Sequence, residues 1–510
     1  MNLRSAAVLG GGPGGLYAAR LLKLSQPDCR VDVYEQSQPG LTFGFGVGLA
    51  SRTQRNLRAA DADSHADIVG SAWEHEMAMA VGDREVRLPA GDLIAIGRSA
   101  LLGILRRHAE AAGVRVRHGR RPSAGELGAD LIIAADGVSS ATREAHRAEF
   151  GARVSVHDGF YLWAGTDFAL PAAIFRPVET EFGSFVTHAY PYQADRSTFL
   201  IEADPETWRR SGFDATTEQT PPDASDEQAL GYLSKVFHDD LQGHPLIGNR
   251  TRWLQFRTVT CDRWHHRNVV LLGDAVHTAH YSIGSGTKLA MEDGIVLARA
   301  LAEAGDLEAA LARYERERRP AVEHLQETAF RSMRWWDSFT GRLDLPVERL
   351  LISFMTRAGK VSVDRFAGFA PDVVRSGLAQ YAGCPVAAVP DTGRVPWILG
   401  RPLDAAGRHW PARVVDTAGE RALWVDVPDA WGLAADTLVR RVRDGQDGGG
   451  EPVVLAAPGE QGSVLTLFEV AERLRREAGS VVAARVGRRW EELAAAALAS
   501  GRVDLVDLTD

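Results

Sequence analysis

Short apolar runs that end in glycine or an acid recur along the chain, and residues at helical spacing follow them. Ala6-Ala7-Val8-Leu9 is too short for a helix and is bounded by glycine, so it predicts a buried strand. Gly10 to Gly15 separates it from a compact helix over Leu16 to Leu22, and Val31-Asp32-Val33-Tyr34 alternates before ending on Glu35, a βαβ pattern. Leu131 to Ala134 predicts a strand running into Asp136-Gly137, and Asn268 to Leu272 one running into Gly273-Asp274. A long helix, Leu289 to Ala302, follows. Residues from about 156 to 261 alternate with period two, as in Phe160–Gly165 and Phe185–Tyr190, which predicts an antiparallel sheet. Within it, Pro221 to Asp226 reads as a loop before a helix. Residues 303–358 read as largely helical, with Ala309–Glu327 amphipathic and Trp335-Trp336 in the core.

Composition narrows the classes. In 510 residues, 45% are hydrophobic and 25% charged, as expected of a globular protein rather than a fibre or a disordered chain. The net charge of −9 argues against a nucleic-acid partner bound through its phosphates. No apolar run reaches the length of a bilayer span, and the start of the chain does not read as a signal peptide. Cys29, Cys261 and Cys384 form neither a disulfide framework nor a zinc-site spacing, so a reducing cytoplasm and no metal are expected.

Gly10, Gly12 and Gly15 fit G-x-G-x-x-G, and Glu35 follows Gly15 at the distance that suits a ribose hydroxyl. The first glycine permits the turn, the second lets backbone approach a pyrophosphate, and the third lets helix meet strand. Two more signals follow in order: Asp136-Gly137 with Ser140 and Arg143, then Gly273-Asp274-Ala275 with His277 and the loop Gly284-Ser285-Gly286-Thr287-Lys288. An aspartate at a strand end can hold a ribityl hydroxyl, and amides at a helix start can hold an anionic ring edge.

The three motifs together resemble those of the single-component FAD-dependent aromatic hydroxylases, over roughly residues 4–375. The resemblance implies an α/β fold: an FAD-binding three-layer Rossmann-like domain of the para-hydroxybenzoate hydroxylase type, an inserted antiparallel-sheet substrate domain, and a small α/β C-terminal domain. It implies FAD, NADH or NADPH as donor, O2 as co-substrate, and ring hydroxylation through a flavin C4a-hydroperoxide. Gly10, Gly12, Gly15, Glu35, Arg98, Asp136, Asp274, Gly284, Gly286, Thr287 and Lys288 are the expected cofactor contacts. The family's usual Pro-Pro is replaced by His280-Tyr281, beside the reactive side of the flavin, which makes both candidate catalytic residues.

The stretch His280–Asp293 and the run Thr42-Phe43-Gly44-Phe45-Gly46-Val47 resemble the salicylyl-CoA 5-hydroxylase and anthraniloyl-CoA monooxygenase branch. This implies an aromatic acyl thioester of CoA or a carrier protein. Alternatives are an indole-derived or free phenolic natural-product intermediate, or a flavin dehydrogenase without oxygen transfer. His188 and Tyr190 share a strand face and are further catalytic candidates. Phe45 and Tyr192 are substrate candidates, and Arg52, Arg55 and Arg58 offer a basic helix face for a phosphorylated handle. The expected domains are 1–155 with 262–330 for FAD, 156–261 for substrate, a helical connection over 331–385, and a non-catalytic tail over 386–510. That tail resembles either pieces of an ene-reductase barrel or a thioredoxin-like domain without its redox pair. Asp444 to Gly450 reads as a flexible loop, and a homodimer is expected.

Overall fold

A computed structural model describes residues 2–40, 42, 44–91, 93–445 and 451–510. Phe43 and residues 446–450 of the glycine-rich loop lie outside the described residues. The chain divides into two compact units, Met1–Ala78 with Ala90–Met333, and Met79–Pro89 with Arg334–Asp510.

In the first unit, Ser5–Leu9 is the buried strand expected from its apolar run, and Arg30–Glu35 pairs with it in parallel. They belong to a six-stranded sheet ordered His265–His266, Val269–Leu271, Leu131–Ala134, Ser5–Leu9, Arg30–Glu35, Arg115–His118. The crossover helix Pro13–Ser25 lies against a second helix, Gly286–Glu303, and small residues set how closely they approach. A Cβ at Gly14 would meet Ala290 at 2.8 Å, and one at Gly294 would meet the Ala18 backbone at 3.2 Å. The two helix starts are thereby fixed against each other at the carboxyl ends of the parallel strands, where open α/β sheets bind ligands.

The second sheet is antiparallel and runs Trp253–Cys261, Ala152–Thr166, Arg196–Ala203, Gly183–Gln193, Ala173–Thr180. Its alternation separates two faces. Leu162, Ala164, Phe185, Phe199, Ile201 and Trp253 are buried on one, where Phe213 and Phe237 pack against them. Register puts Tyr161, Trp163, Val186, His188, Leu200 and Glu202 on the other. Residues 156–261 are not all sheet, however. The helices Pro205–Arg210, which Asp204 caps, and Phe213–Gln219 interrupt them and were overlooked by the period-two reading, while Glu227–Val236, capped by Asp226, is the helix expected after the Pro221–Asp226 loop.

In the second unit, Trp335 and Trp336 pack with Phe339 and Phe354 as core. The strands Ala422–Trp424, Val453–Ala456, Val482–Gly487 and Leu505–Thr509 pair in parallel and in sequence order. Val414 bridges Val506, also in parallel. A thioredoxin-like tail would need antiparallel strands in its sheet, so that alternative is corrected. Consecutive parallel strands whose earliest residues sit beside the last strand have the topology of a barrel fragment.

Candidate functional site

A cavity of about 480 Å³ opens at the ends of the parallel strands, lined among others by Gly10, Gly12, Glu35, Arg98, Asp136 and Thr142. Gly10 has φ +101°, and a Cβ there would lie 2.2 Å from the Ala135 carbonyl oxygen. Only glycine allows that approach. A Cβ at Gly15 would lie 2.1 Å from the Gly10 carbonyl oxygen, whereas Gly12 faces open space. The helix start at Gly12 has no side-chain cap among the described residues, so its amides and positive dipole remain for an anion. Glu35 accepts from the Gly11 and Ser37 amides, each at 2.7 Å, which holds its carboxylate at the rim.

The second motif is tied to the third by Arg143. Ser140 caps its helix by accepting from the Arg143 amide at 2.9 Å, and the buried guanidinium donates to the carbonyls of Val138 (2.7 Å) and Ala275 (3.1 Å). Asp136 accepts from Thr142, while its Oδ1 is buried without a partner among the described residues. Arg98 opens the helix Arg98–Ala111, and its buried Nε also lacks a partner there. Burial lowers its pKa, with Asp274 and Tyr190 opposing. An orphaned guanidinium N–H and carboxylate oxygen in one cavity, beside an uncapped helix start, fit a polar dinucleotide such as FAD.

Asp274 is exposed at its side chain, yet the protein packed around it raises its pKa against the pull of His277 and Arg98. The Gly273-Asp274 turn is held from behind. Asp293 accepts from the Gly273 amide at 3.0 Å, from Arg318 at 2.8 Å, and pairs with His277 at 2.7 Å. Burial opposes its charge, yet His277 and Arg318 bring its pKa to about 2. Gly284 is left-handed with φ +59°, and Gly286, Thr287 and Lys288 form the first turn of a helix without a side-chain cap among the described residues. A Cβ at Gly286 would lie 3.8 Å from Asp274 Oδ1.

On the free face of the antiparallel sheet, Glu202 lies in register with Tyr161 and Val186, beside His188. His188 Nε2 is 3.4 Å from Glu202 Oε2, and although burial opposes its charge, His188, His280 and Tyr281 bring the Glu202 pKa down to about 2. The His280 ring stands 4.0 Å from Tyr281, 4.9 Å from Phe256 and 6.0 Å from His157. Burial pushes the His280 pKa down to about 3, despite Glu202, so it is a neutral imidazole near pH 7. Tyr281 also packs on Tyr161 at 4.8 Å.

His188, His280 and Tyr281 are thus brought together, while the other candidates sit apart from them. Tyr190 donates its hydroxyl to the Gly46 carbonyl at 2.8 Å, and burial raises its pKa to about 12. Tyr192 is wedged against Gly46 and Gly97, where a Cβ would come within 2.7 and 3.2 Å of its ring. Phe45 covers Gly165 so closely that a Cβ there would lie 2.4 Å from it. Arg52, Arg55 and Arg58 are on the exposed side of the helix Ser51–Ala60, opposite buried Thr53 and Leu57. Sequence reasoning missed Glu202, although it is the one acid in the otherwise uncharged run Ser197–Ala203. It also missed the Asp293–Arg318 support of the Gly273-Asp274 turn. His146, Glu149 and His266 gather ligand-capable atoms within 4.8 Å at an exposed edge, a grouping the Cys/His spacing did not anticipate.

A Rossmann-like sheet with a dinucleotide cavity, roofed by an antiparallel sheet with buried polar groups, defines an FAD-dependent hydroxylase fold. Comparison with known proteins makes this particular. The FAD binding domain family matches residues 119–329. Salicyloyl-CoA 5-hydroxylase of a Streptomyces species is 36% identical, covering 98% of this chain and 99% of its own. The 3-hydroxy-4-methyl-anthranilyl-[aryl-carrier protein] 5-monooxygenase of Streptosporangium sibiricum is 41% identical, covering 70% of this chain and 94% of its own. Among solved structures, the tetrameric form of 2-methyl-3-hydroxypyridine-5-carboxylic acid oxygenase shares the fold, with a TM-score of 0.53 at 19% identity, over 73% of this chain and 96% of its own. The chain belongs to the FAD-dependent aromatic monooxygenases. It is an aromatic hydroxylase that uses FAD, NAD(P)H and O2 on a small-molecule substrate. No helix among the described residues is long and apolar enough to cross a membrane.

Proposed function

We propose that the enzyme hydroxylates an ortho-substituted aromatic acid presented as a thioester, a salicylyl-CoA-like substrate, at the carbon para to its ring hydroxyl. The observation that carries this reading is the similarity to salicyloyl-CoA 5-hydroxylase along practically the whole of both chains. When bound, FAD takes reducing equivalents from NADH or NADPH and activates O2 for transfer to an electron-rich ring. The chain's own residues bind, orient and exclude water. Gly10, Gly12 and Gly15 with the first helix start receive the pyrophosphate, and Glu35 the ribose. Asp274 receives the ribityl chain, Thr287 and Lys288 offer amides to the ring edge, and Arg98 and Asp136 satisfy their orphaned atoms on the cofactor. Tyr161, Trp163 and Phe256 keep the face above dry, with His188, His280 and Tyr281 as its polar groups. A thioester handle supplies binding energy far from the reacting carbon, and Arg52, Arg55 and Arg58 are the proposed cations for its phosphates.

A carrier-protein thioester is a second reading, favoured by the 41% identity to the aryl-carrier-protein monooxygenase. NAD(P)H oxidation is to be followed with salicylyl-CoA, 2-aminobenzoyl-CoA, the corresponding carrier-protein thioesters, free salicylate and tryptophan, with product analysis under ¹⁸O2. One labelled oxygen in a product formed faster from a thioester than from free acid supports the reading. Equal kcat/KM for salicylyl-CoA and salicylate overturns it. Charge reversal at Arg52, Arg55 and Arg58 is expected to raise KM for the CoA ester several-fold, and an unchanged KM removes them from the handle site. We further propose a cytoplasmic homodimer; light scattering that gives the monomer mass rejects the dimer.

A further inference from the structure

His146, Glu149 and His266 bring ligand-capable atoms within 4.8 Å of one another, with both histidines half-buried and Glu149 exposed. Local structure fixes each of them. His146 joins the short helices Ala141–Ala145 and Arg147–Phe150, and the Phe150 amide donates to its carbonyl at 3.0 Å. Glu149 stands three residues further on, a spacing that puts two side chains on one side of a helix. The other acid of this stretch, Glu144, is already taken, by Arg143 at 3.1 Å and Arg147 at 3.3 Å.

His266 comes from the edge of the six-stranded sheet, where it pairs with Val269. Its neighbour His265 is 3.1 Å from Glu315. Successive strand residues face opposite ways, so the His266 ring turns away from Glu315 and stands 5.8 Å from the His146 ring, centroid to centroid. The Arg263 amide donates to the Phe150 carbonyl at 3.1 Å, which ties the edge hairpin to the helix that carries Glu149.

Two imidazoles and a carboxylate are a donor set that suits Zn2+ and its late first-row neighbours, whereas Mg2+ and Ca2+ prefer oxygen ligands throughout. Bonds of about 2.0–2.2 Å at a tetrahedral ion put its ligand atoms roughly 3.4 Å apart. Side-chain rotation of the exposed Glu149 and the two half-buried rings supplies the difference. Three protein ligands leave one position for water.

We propose that His146, Glu149 and His266 form a binding site for one divalent late transition-metal ion, of which Zn2+ and Co2+ are the probes. The ion fastens the segment that follows the second motif to the strand that leads into the third. His146 borders the dinucleotide cavity, and His266 borders a separate cleft of about 760 Å³. Cys/His spacing along the chain could not show the site, because the fold alone brings His266 to the other two. An ion that binds only this folded arrangement stabilises it.

The test uses the tag-free, FAD-loaded enzyme after dialysis against a chelator. Calorimetric titration with ZnCl2 is expected to show one equivalent bound, CoCl2 should give visible absorption bands of an imidazole-bound ion, and MgCl2 should not bind. His266→Ala and Glu149→Gln, neither of which touches the cofactor cavity, should each weaken Zn2+ binding roughly tenfold or more. His265→Gln, on the opposite side of the same strand, should keep the wild-type affinity. Zn2+ should raise the thermal midpoint of the wild type and leave that of His266→Ala where it is. A wild type without saturable binding of one equivalent overturns the proposal. So does wild-type affinity in both His266→Ala and Glu149→Gln, or an equal loss in His265→Gln, which would mark binding by scattered surface histidines.

Discussion

His280 is held neutral against the ordinary behaviour of imidazole, and this has a thermodynamic consequence. Its pKa falls from a value of about 6.5 in an unfolded chain to about 3 in the fold, because burial penalises the cation more than Glu202 favours it. Between those pH values the unfolded chain binds a proton that the folded chain refuses. Stability is therefore lost as pH falls below about 6.5, with a slope of roughly 1.4 kcal/mol per pH unit for one such group. His280→Phe is expected to remove that slope. Urea midpoints at pH 7.5 and 5.5 check it: the variant should lose about 1 kcal/mol less than the wild type across the interval. Glu202 and Asp293 act in another window. Both pKa values are depressed to about 2, so their contribution is present above about pH 4 and is lost as pH falls toward 2. Gly10, Gly12 and Glu35, which line the strand-end cavity, were legible as residues because their motif is local and its requirement is local too. Glu202 was not, because its low pKa depends on His188, His280 and Tyr281, which lie far from it in sequence.

At the scale of elements, two helix starts must converge on one cavity, and the small residues at their crossing are what permit it. Gly294 lies against Ala18 with no room for a side chain. Gly294→Val is expected to cost about 1–3 kcal/mol by forcing the helices apart. It should also weaken flavin retention, since Gly12 and Gly286 begin the same two helices. Thermal unfolding together with the flavin-to-protein absorbance ratio measures both; a variant that is destabilised but keeps all its flavin would separate the crossing from the site. Most elements were readable from the hydrophobic pattern, including both strands of the first βαβ unit and the core tryptophans. The helices Pro205–Arg210 and Phe213–Gln219 were not, because two such short helices blur into strand alternation when only apolar spacing is weighed, whereas Glu227–Val236 follows the loop that the sequence marks.

At the scale of the whole molecule, each unit carries its own buried charge pairing. In the second, Arg342 and Glu472 make two hydrogen bonds of 2.7 Å with almost no exposure of either side chain. Removing one partner from such a pair costs about 3–5 kcal/mol, mainly through the charge left unpaired. Calorimetry of Arg342→Ala is expected to show two transitions, with the lower one belonging to the unit of residues 334–510. Added FAD should raise only the other, since a ligand stabilises the fold that binds it. A single transition that shifts as one in both experiments would mean that the units unfold together.

The sequence by itself determined the dinucleotide turn, the order of the three motifs and the alternating sheet, because each rests on residues a few positions apart whose backbone needs are met locally. The tertiary structure decided what joins distant segments. It set Arg143 of the second motif on the Ala275 carbonyl of the third, and Asp293 behind the Gly273-Asp274 turn. It set Val414 beside Val506, which separates a parallel barrel fragment from a thioredoxin-like tail. It also put Glu202 beside His188, 3.4 Å from its Nε2. A carboxylate and an imidazole each have an ordinary pKa in any sequence, but how far each departs from it is settled only when the fold buries the two side by side.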